Sequence, residues 1–262
     1  MLPLQNKIML ITGASSGIGK CLAEEAAQQG ATVLLAARSL DKLKEIEHNI
    51  LQKNLKAEAL VVDLTSDQSI KKVFEQIQKK YNHLDLLINN AAVGLFETVK
   101  NSQSKDAHQL FKTNFFGPIT CIQQALPLMN KESIIVNISS AIAKHASFYQ
   151  GVYSASKAAL ERVSEALRIE ENITVLTVNI DRTKTNFRDH VVGPKHQLVL
   201  PFQHLQEADP QQVAKKILKA IQAKKLIYHT TLKSRVFTLA TALFPSLINH
   251  LFRKQYKKVK QI

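Results

Sequence analysis

Apolar runs and amphipathic stretches alternate along this 262-residue chain. KIMLIT (7–12), TVLLAA (32–37), EALVVDL (58–64), LDLLINNAA (84–92), SIIVNIS (133–139) and ITVLTVNI (173–180) are short, mostly apolar runs, and LIYH (226–229) makes a seventh. Runs of this length fit strands buried on both faces. Helical stretches lie between them, at 17–29, 40–54 and 66–81; in the last, Ile70, Val73, Phe74, Ile77 and Tyr81 recur at spacings of three and four, the stripe of one helix face. The alternation predicts a doubly wound α/β fold: a mostly parallel, seven-stranded sheet with helices on both faces, binding ligands beyond the carboxyl ends of its strands. No internal repeat or linker interrupts it, so one domain is expected over 1–235, followed by an apolar, then basic, extension over 236–262.

The composition, 45% apolar and 21% charged, is that of an ordinary soluble globular protein. The formal charge of +14 changes meaning once divided: residues 1–210 hold 23 Lys/Arg and 21 Asp/Glu, whereas 211–262 hold 12 Lys/Arg and no acid. The excess belongs to the tail. No zinc-finger spacing, RNP-like strand or helix-turn-helix signal accompanies it, so specific nucleic-acid binding is not expected. Cys21 and Cys121, far apart and in apolar company, suggest neither a disulfide scaffold nor a zinc cluster; no metal site is expected, and the thiols fit a reducing, cytoplasmic setting. Residues 1–20 lack the apolar run and cleavage site of a secretory signal.

The first strand runs into TGASSGIG (12–19), placing Gly13, Ser15, Ser16, Gly17, Ile18 and Gly19 where the next helix starts. Glycines there allow a sharp turn and let backbone N–H groups approach a pyrophosphate, which the helix N-terminus also favours. A turn kept only for close packing is the plainer alternative. An NAD site usually carries an acid after the second strand for the ribose 2′-hydroxyl; here the chain reads AARS, with Arg38 and no acid before Asp41. Arg38, joined by Lys20, suits a 2′-phosphate, which favours NADP(H) over NAD(H). Asp63, closing the third strand, suits the adenine amino group or a cap for helix 66–81, and Asn89 and Asn90 suit either loop bracing or the ribose.

These segments, with NISS (137–140) and YSASK (153–157), resemble the short-chain dehydrogenases/reductases, a Rossmann-fold family. TGASSGIG resembles the family's cofactor turn, NNAA (89–92) its NNAG segment, NISS and YSASK its catalytic core, and Asn114 in KTNFFG its helical asparagine; the resemblance covers roughly residues 5–190. It implies hydride transfer between a nicotinamide and a carbonyl or alcohol, in a dimer or tetramer joined through helices around 105–128 and 153–170. It also implies that Lys157 bridges the nicotinamide ribose and that Asn114 braces a water leading protons to Lys157; an amide that only satisfies a helix irregularity is the alternative for Asn114. The residues' own chemistry agrees. Tyr153 and Lys157, four apart, share a helix face. A free tyrosine titrates near pH ~10, and a neighbouring ammonium favours the phenolate, making Tyr153 a usable proton donor and acceptor. Ser140 would hydrogen-bond the carbonyl oxygen as negative charge grows there, and its neighbour Ser139 faces the other way. A helix start capped by Ser154 or Ser156, with Tyr153 and Lys157 at the surface, is the ordinary alternative.

Where the family has Pro-Gly after the sixth strand, this chain has Ile180 and Asp181, ahead of Thr185, which stands where the family's nicotinamide-contacting threonine does. Arg182 or Lys184 is expected to neutralise Asp181. Ala141, Ile142, His145, Phe148 and Tyr149, with a lid over about 186–208, suggest a mostly apolar pocket; Arg188 or Lys195 would meet an anionic group. In the extension, residues 236–252 carry no Asp, Glu, Lys or Arg and precede RKQYKKVKQ. They are too short for a membrane span, but suit either an anionic membrane surface or a dimer interface. The reaction class is NADPH-dependent carbonyl reduction; a regulatory or scaffold protein that binds NADPH with little turnover is the alternative.

Overall fold

The computed structural model describes residues 2–193 and 207–260. Seven strands, β1 (Ile8–Thr12), β2 (Thr32–Ala37), β3 (Lys56–Val61), β4 (Leu86–Asn89), β5 (Ile134–Ser140), β6 (Thr174–Ile180) and β7 (Ile227–His229), form one parallel sheet in the order β3-β2-β1-β4-β5-β6-β7. The helices are α1 (Gly17–Gln28), α2 (Leu40–Leu51), α3 (Asp67–Tyr81), α4 (Ser104–Phe111), α5 (Gly117–Ala125), α6 (Gly151–Glu170), α7 (Pro210–Gln222), α8 (Leu232–Leu243) and α9 (Pro245–Lys260). This is a doubly wound Rossmann fold with one domain.

Strand periodicity divides the core into two layers. Met9 and Ile11 of β1, with Val33 and Leu35 of β2, pack under α1, α2 and α7. Their neighbours Ile8, Leu10 and Leu34 point the opposite way, under α3, α5 and α6. The central strands are therefore apolar on both faces through their middle, with buried polar residues such as Asn137, Ser139 and Asn179 satisfied by side-chain hydrogen bonds. β3, at the sheet edge, departs from the expected two-sided apolar strand: it starts at Lys56, and its Glu58 carboxylate pairs with Lys80 of α3 at 2.9 Å. β4 is shorter than the apolar run 84–92, because Asn90 turns back to donate from Nδ2 to Thr12 O at 2.9 Å. α2 ends at Leu51 rather than 54, where the chain turns through Asn54 in the left-handed region (φ 57°). Ser66, not Asp63, caps α3, accepting from Ser69 N.

The chain winds from β1 outward to β2 and β3, then crosses back to place β4 on the other side of β1, and this reversal opens a crevice at the carboxyl ends of β1 and β4. α8 starts at Leu232, ahead of the expected boundary at 236, and Pro245 separates it from α9. Among the described residues, no helix is long and apolar enough to cross a membrane. Residues 194–206, and so Lys195 and most of the expected lid, lie outside the described residues.

Candidate active site

The crevice is a cleft of about 820 Å³ running across the carboxyl edge of the sheet. At its floor the β1–α1 turn needs glycine for geometric reasons. Gly17 has φ +54°, and a Cβ on Gly19 would stand 2.2 Å from Gly13 O. Asn90 clamps this turn through Thr12 O and Gly13 O. Ser16, the N-cap of α1, makes no side-chain cap, so the first amides of the helix are left for a ligand. Gly13, Ser15, Ser16, Gly17 and Ile18 line the cleft, whereas Gly19 packs behind Gly13.

One end of the cleft is cationic. Arg38, at the end of β2, lines it together with Lys42 of α2. Lys20 does not: it points along α1 to Glu24, 3.9 Å away. Position along α2, which the sequence pattern does not translate into distance from Arg38, brings Lys42 in instead. Asp63 lines the same end, its Oδ1 accepting from Thr65 N at 2.9 Å and Thr65 Oγ1 at 2.8 Å.

The other end gathers Ser140, Tyr153, Lys157 and Thr185. Ser140 ends β5 facing the cleft, while Ser139 turns away and donates to Glu161 Oε1 at 2.8 Å. Tyr153 and Lys157 lie in the first turns of α6, 6% and 2% exposed. Neither nearby serine caps that helix: Ser154 Oγ donates to Ile142 O and Ser156 Oγ to Tyr153 O. Lys157 Nζ donates to Ile138 O at 2.8 Å, and burial lowers its pKa to about 8 against the opposing pull of Glu161. Burial pushes the Tyr153 phenol up, and a hydrogen bond with Ser140 draws it back. Phe187 packs edge-on against Tyr153, ring centroids 5.6 Å apart. The group can deliver a proton to an oxygen held between a serine and a tyrosine hydroxyl, beside a cation.

Asn114 is not in the cleft wall. It sits fully buried in a π-helical turn, Lys112–Phe116, accepting from Val93 N at 2.8 Å and donating to Val93 O at 2.9 Å and Ser156 Oγ at 3.3 Å. The amide thus ties the segment after β4 to α6. Asp181 is not neutralised by the side chains of Arg182 or Lys184. Its carboxylate accepts from Arg182 N at 2.8 Å and Thr231 Oγ1 at 2.9 Å, and the Arg182 guanidinium pairs with Glu207 at 3.0 Å. Cys121 is buried, which pushes its thiol up to about 12, and both cysteines are free. Among the described residues, no three His, Cys, Asp or Glu side chains are grouped to hold a metal.

Sequence reasoning missed three parts of the site. Lys42 is the first. Glu161 is the second, although its place four residues after Lys157 was a visible signal. The third is the inner face of the C-terminal helices, where Phe237 of α8 and Phe252 of α9 line the cleft mouth. Phe252 stands against His145 and Phe237, and Tyr256 against Phe148 and Tyr149, with ring centroids 5.4 to 6.2 Å apart.

The turn, its open helix amides and the cationic end fit a dinucleotide with its phosphates at α1. The short chain dehydrogenase family profile matches residues 7–193. A fatty acyl-CoA reductase from Acinetobacter baylyi is 31% identical over 95% of this chain and 83% of its own length. A 3-ketodihydrosphingosine reductase from Bacteroides thetaiotaomicron is 37% identical over 71% of this chain and 68% of its own. A short-chain dehydrogenase/reductase from Burkholderia phymatum, solved in complex with NAD, superposes with a TM-score of 0.85 at 20% identity, over 94% of this chain and 96% of that one. With its turn, cleft and serine, tyrosine and lysine so arranged, the chain belongs to the short-chain dehydrogenase/reductase family of nicotinamide-dependent oxidoreductases.

Proposed function

We propose that the protein is an NADPH-dependent reductase of hydrophobic carbonyl compounds. The observation that carries this reading is a single cleft with Arg38 and Lys42 at one end and Ser140, Tyr153 and Lys157 at the other. Two cations, with no acid in the AARS segment (36–39) at the end of β2, favour a 2′-phosphate. NADPH, when bound, supplies the hydride. Gly13, Ser15, Ser16, Gly17, Ile18 and Asn90 would hold its phosphates and ribose, and Thr185 its carboxamide. Ser140 donates a hydrogen bond to the substrate oxygen, Tyr153 gives that oxygen its proton, and Lys157 supplies the positive charge that eases the loss. Asn114 holds the backbone on which this end rests.

Phe96, Ile142, Phe187, Phe237 and Phe252 give the substrate end its apolar wall. With the similarity to a fatty acyl-CoA reductase and a 3-ketodihydrosphingosine reductase, this supports a long-chain carbonyl substrate. Parallel fluorescence titrations with NADPH and NADH, followed by turnover of long-chain aldehydes and 3-keto lipids, test the reading. The expected result is NADPH preference, lost in Arg38→Asp, and oxidation of NADPH by these carbonyls. NADPH binding without turnover of any carbonyl would favour the regulatory alternative.

The extension is proposed to lie on an anionic membrane surface. Leu232, Val236, Leu239 and Leu243 form one stripe along α8, joined by Phe244, Leu247 and Leu251, all between 50% and 74% exposed. Lys and Arg flank the stripe and no acid lies beyond residue 210, a combination that suits anionic lipid better than a second copy of the same cationic face. The wild type should co-sediment with phosphatidylserine-containing vesicles and not with phosphatidylcholine alone. A Leu239→Glu/Leu243→Glu variant that still sediments would remove the proposal. Self-association is assigned instead to the helices around 105–128 and 153–170, where Phe116 and Ile169 are 55% and 87% exposed. Light scattering should find a dimer or tetramer that Ile169→Glu weakens.

A further inference from the structure

Tyr153, Lys157 and Glu161 recur every fourth residue along α6 and so share one face of it. The third is a carboxylate with 3% of its surface exposed, next to the driest lysine of the site. An acid so buried requires partners. Glu161 Oε1 accepts from Ser139 Oγ, and Oε2 lies 2.8 Å from Lys144 Nζ, in the turn after β5. The Asn179 amide satisfies its surroundings only with its nitrogen turned to Glu161 Oε1 at 2.7 Å and to Ser140 O at 3.0 Å. The carboxylate therefore joins α6, the end of β5, its following turn and β6 behind the reacting groups.

We propose that Glu161 is a positioning residue for the proton-transfer pair: it provides the counter-charge that keeps Lys157 an ammonium at neutral pH and, through Asn179, anchors the backbone of Ser140. The proposal rests on the reductase reading for its effect on turnover, but not for its effect on Lys157. Removing Lys157 from water disfavours its charged form; the Ile138 carbonyl it donates to offsets part of that, and a negative charge in the same dry region offsets more. The charged and titratable groups around the carboxylate are Lys144, Lys157, Glu165 and Arg168, His229 of β7, and Tyr153 one turn before Lys157. Lys144, 31% exposed, is partly screened by water, so it satisfies Glu161 while cancelling only part of its field at Lys157.

Two substitutions of opposite sign test this. Glu161→Gln removes the charge and keeps an oxygen for Ser139. Lys144→Met removes a competing cation and leaves the carboxylate. The readout is Lys157 itself, followed in protein carrying ε-¹³C-lysine by NMR between pH 6 and 10, its resonance identified by its loss in Lys157→Met. Glu161→Gln should move the Lys157 midpoint down by about one pH unit, roughly a tenfold change in its charge ratio, and Lys144→Met should move it up. The alkaline limb of the pH–rate profile should follow in the same directions.

A Lys157 midpoint unchanged in either folded variant overturns the proposal, because a packing role alone would lower the rate without shifting it. If Glu161→Gln does not fold, Lys144→Met at its half-exposed position still decides. A wild type that titrates as expected but reduces no carbonyl would sink the reductase reading and leave this inference standing.

Discussion

Phe252 of α9 stands edge-on to Phe148, five residues before Tyr153, with ring centroids 6.4 Å apart at 87°. The C-terminal helices thus roof the substrate end of the cleft. Phe252 is 9% exposed, so Phe252→Ala should cost about 3 kcal/mol of stability by opening a cavity. It should also raise KM for long-chain carbonyls more than it lowers kcat. Thermal unfolding and steady-state kinetics on long and short aldehydes check both effects, and equal losses on both chain lengths would contradict the roof.

Lys42 reaches the cationic end of the cleft from α2 and shares it with Arg38. A charge-assisted hydrogen bond contributes about 1.5–3 kcal/mol, so Lys42→Glu should weaken NADPH binding by roughly tenfold to a hundredfold. NADH binding should change little. Parallel titrations at fixed ionic strength read the ratio, and equal weakening of both cofactors would mean that Lys42 does not meet the 2′-phosphate.

Lys157 carries a cost as well as a role. Its pKa falls from 10.5 to about 8 on folding, so between those values the unfolded chain binds a proton that the folded chain does not. Stability therefore rises with pH across that window, and below pH 8 the buried ammonium costs about 3 kcal/mol. Lys157→Met leaves Ile138 O without its donor, which offsets part of the gain. The variant should be inactive yet more resistant to urea than the wild type at pH 7, with the advantage gone near pH 10. Urea midpoints at the two pH values check this.

Asp181 holds Thr231 Oγ1, which also accepts from Ser234 N and so caps α8. Asp181→Ala should loosen the start of that helix and cost about 1 kcal/mol. Turnover of a short aldehyde, which does not need the roof, should survive. Hydrogen exchange over 232–243 should quicken in the variant; unchanged protection there would show that the carboxylate is not what holds α8.

The cofactor turn and the sheet were legible because both depend on local rules. Glycine at 13, 17 and 19 answers to backbone geometry, and strands buried on two faces are largely apolar on both, so Met9, Leu10 and Ile11 announce β1 without reference to any partner. The edge strand was read less well, since one open flank allows Lys56 and Glu58 to enter it. Tyr153 and Lys157 were legible as a pair through helical spacing. The same spacing reached Glu161, but an acid four residues on reads as a surface charge until burial shows otherwise. Sequence determined the fold, the turn and the spacing of Tyr153 and Lys157, because each follows from residues close in the chain. Tertiary structure alone decided that Lys42 rather than Lys20 joins Arg38, that Asp181 answers to Thr231, and that Phe252 closes over Phe148. Asp181 and Thr231, like Phe252 and Phe148, are far apart in the chain, and the choice between Lys20 and Lys42 depends on how α1 and α2 sit at the sheet edge, so only the packing of helices on the sheet determines these separations in space.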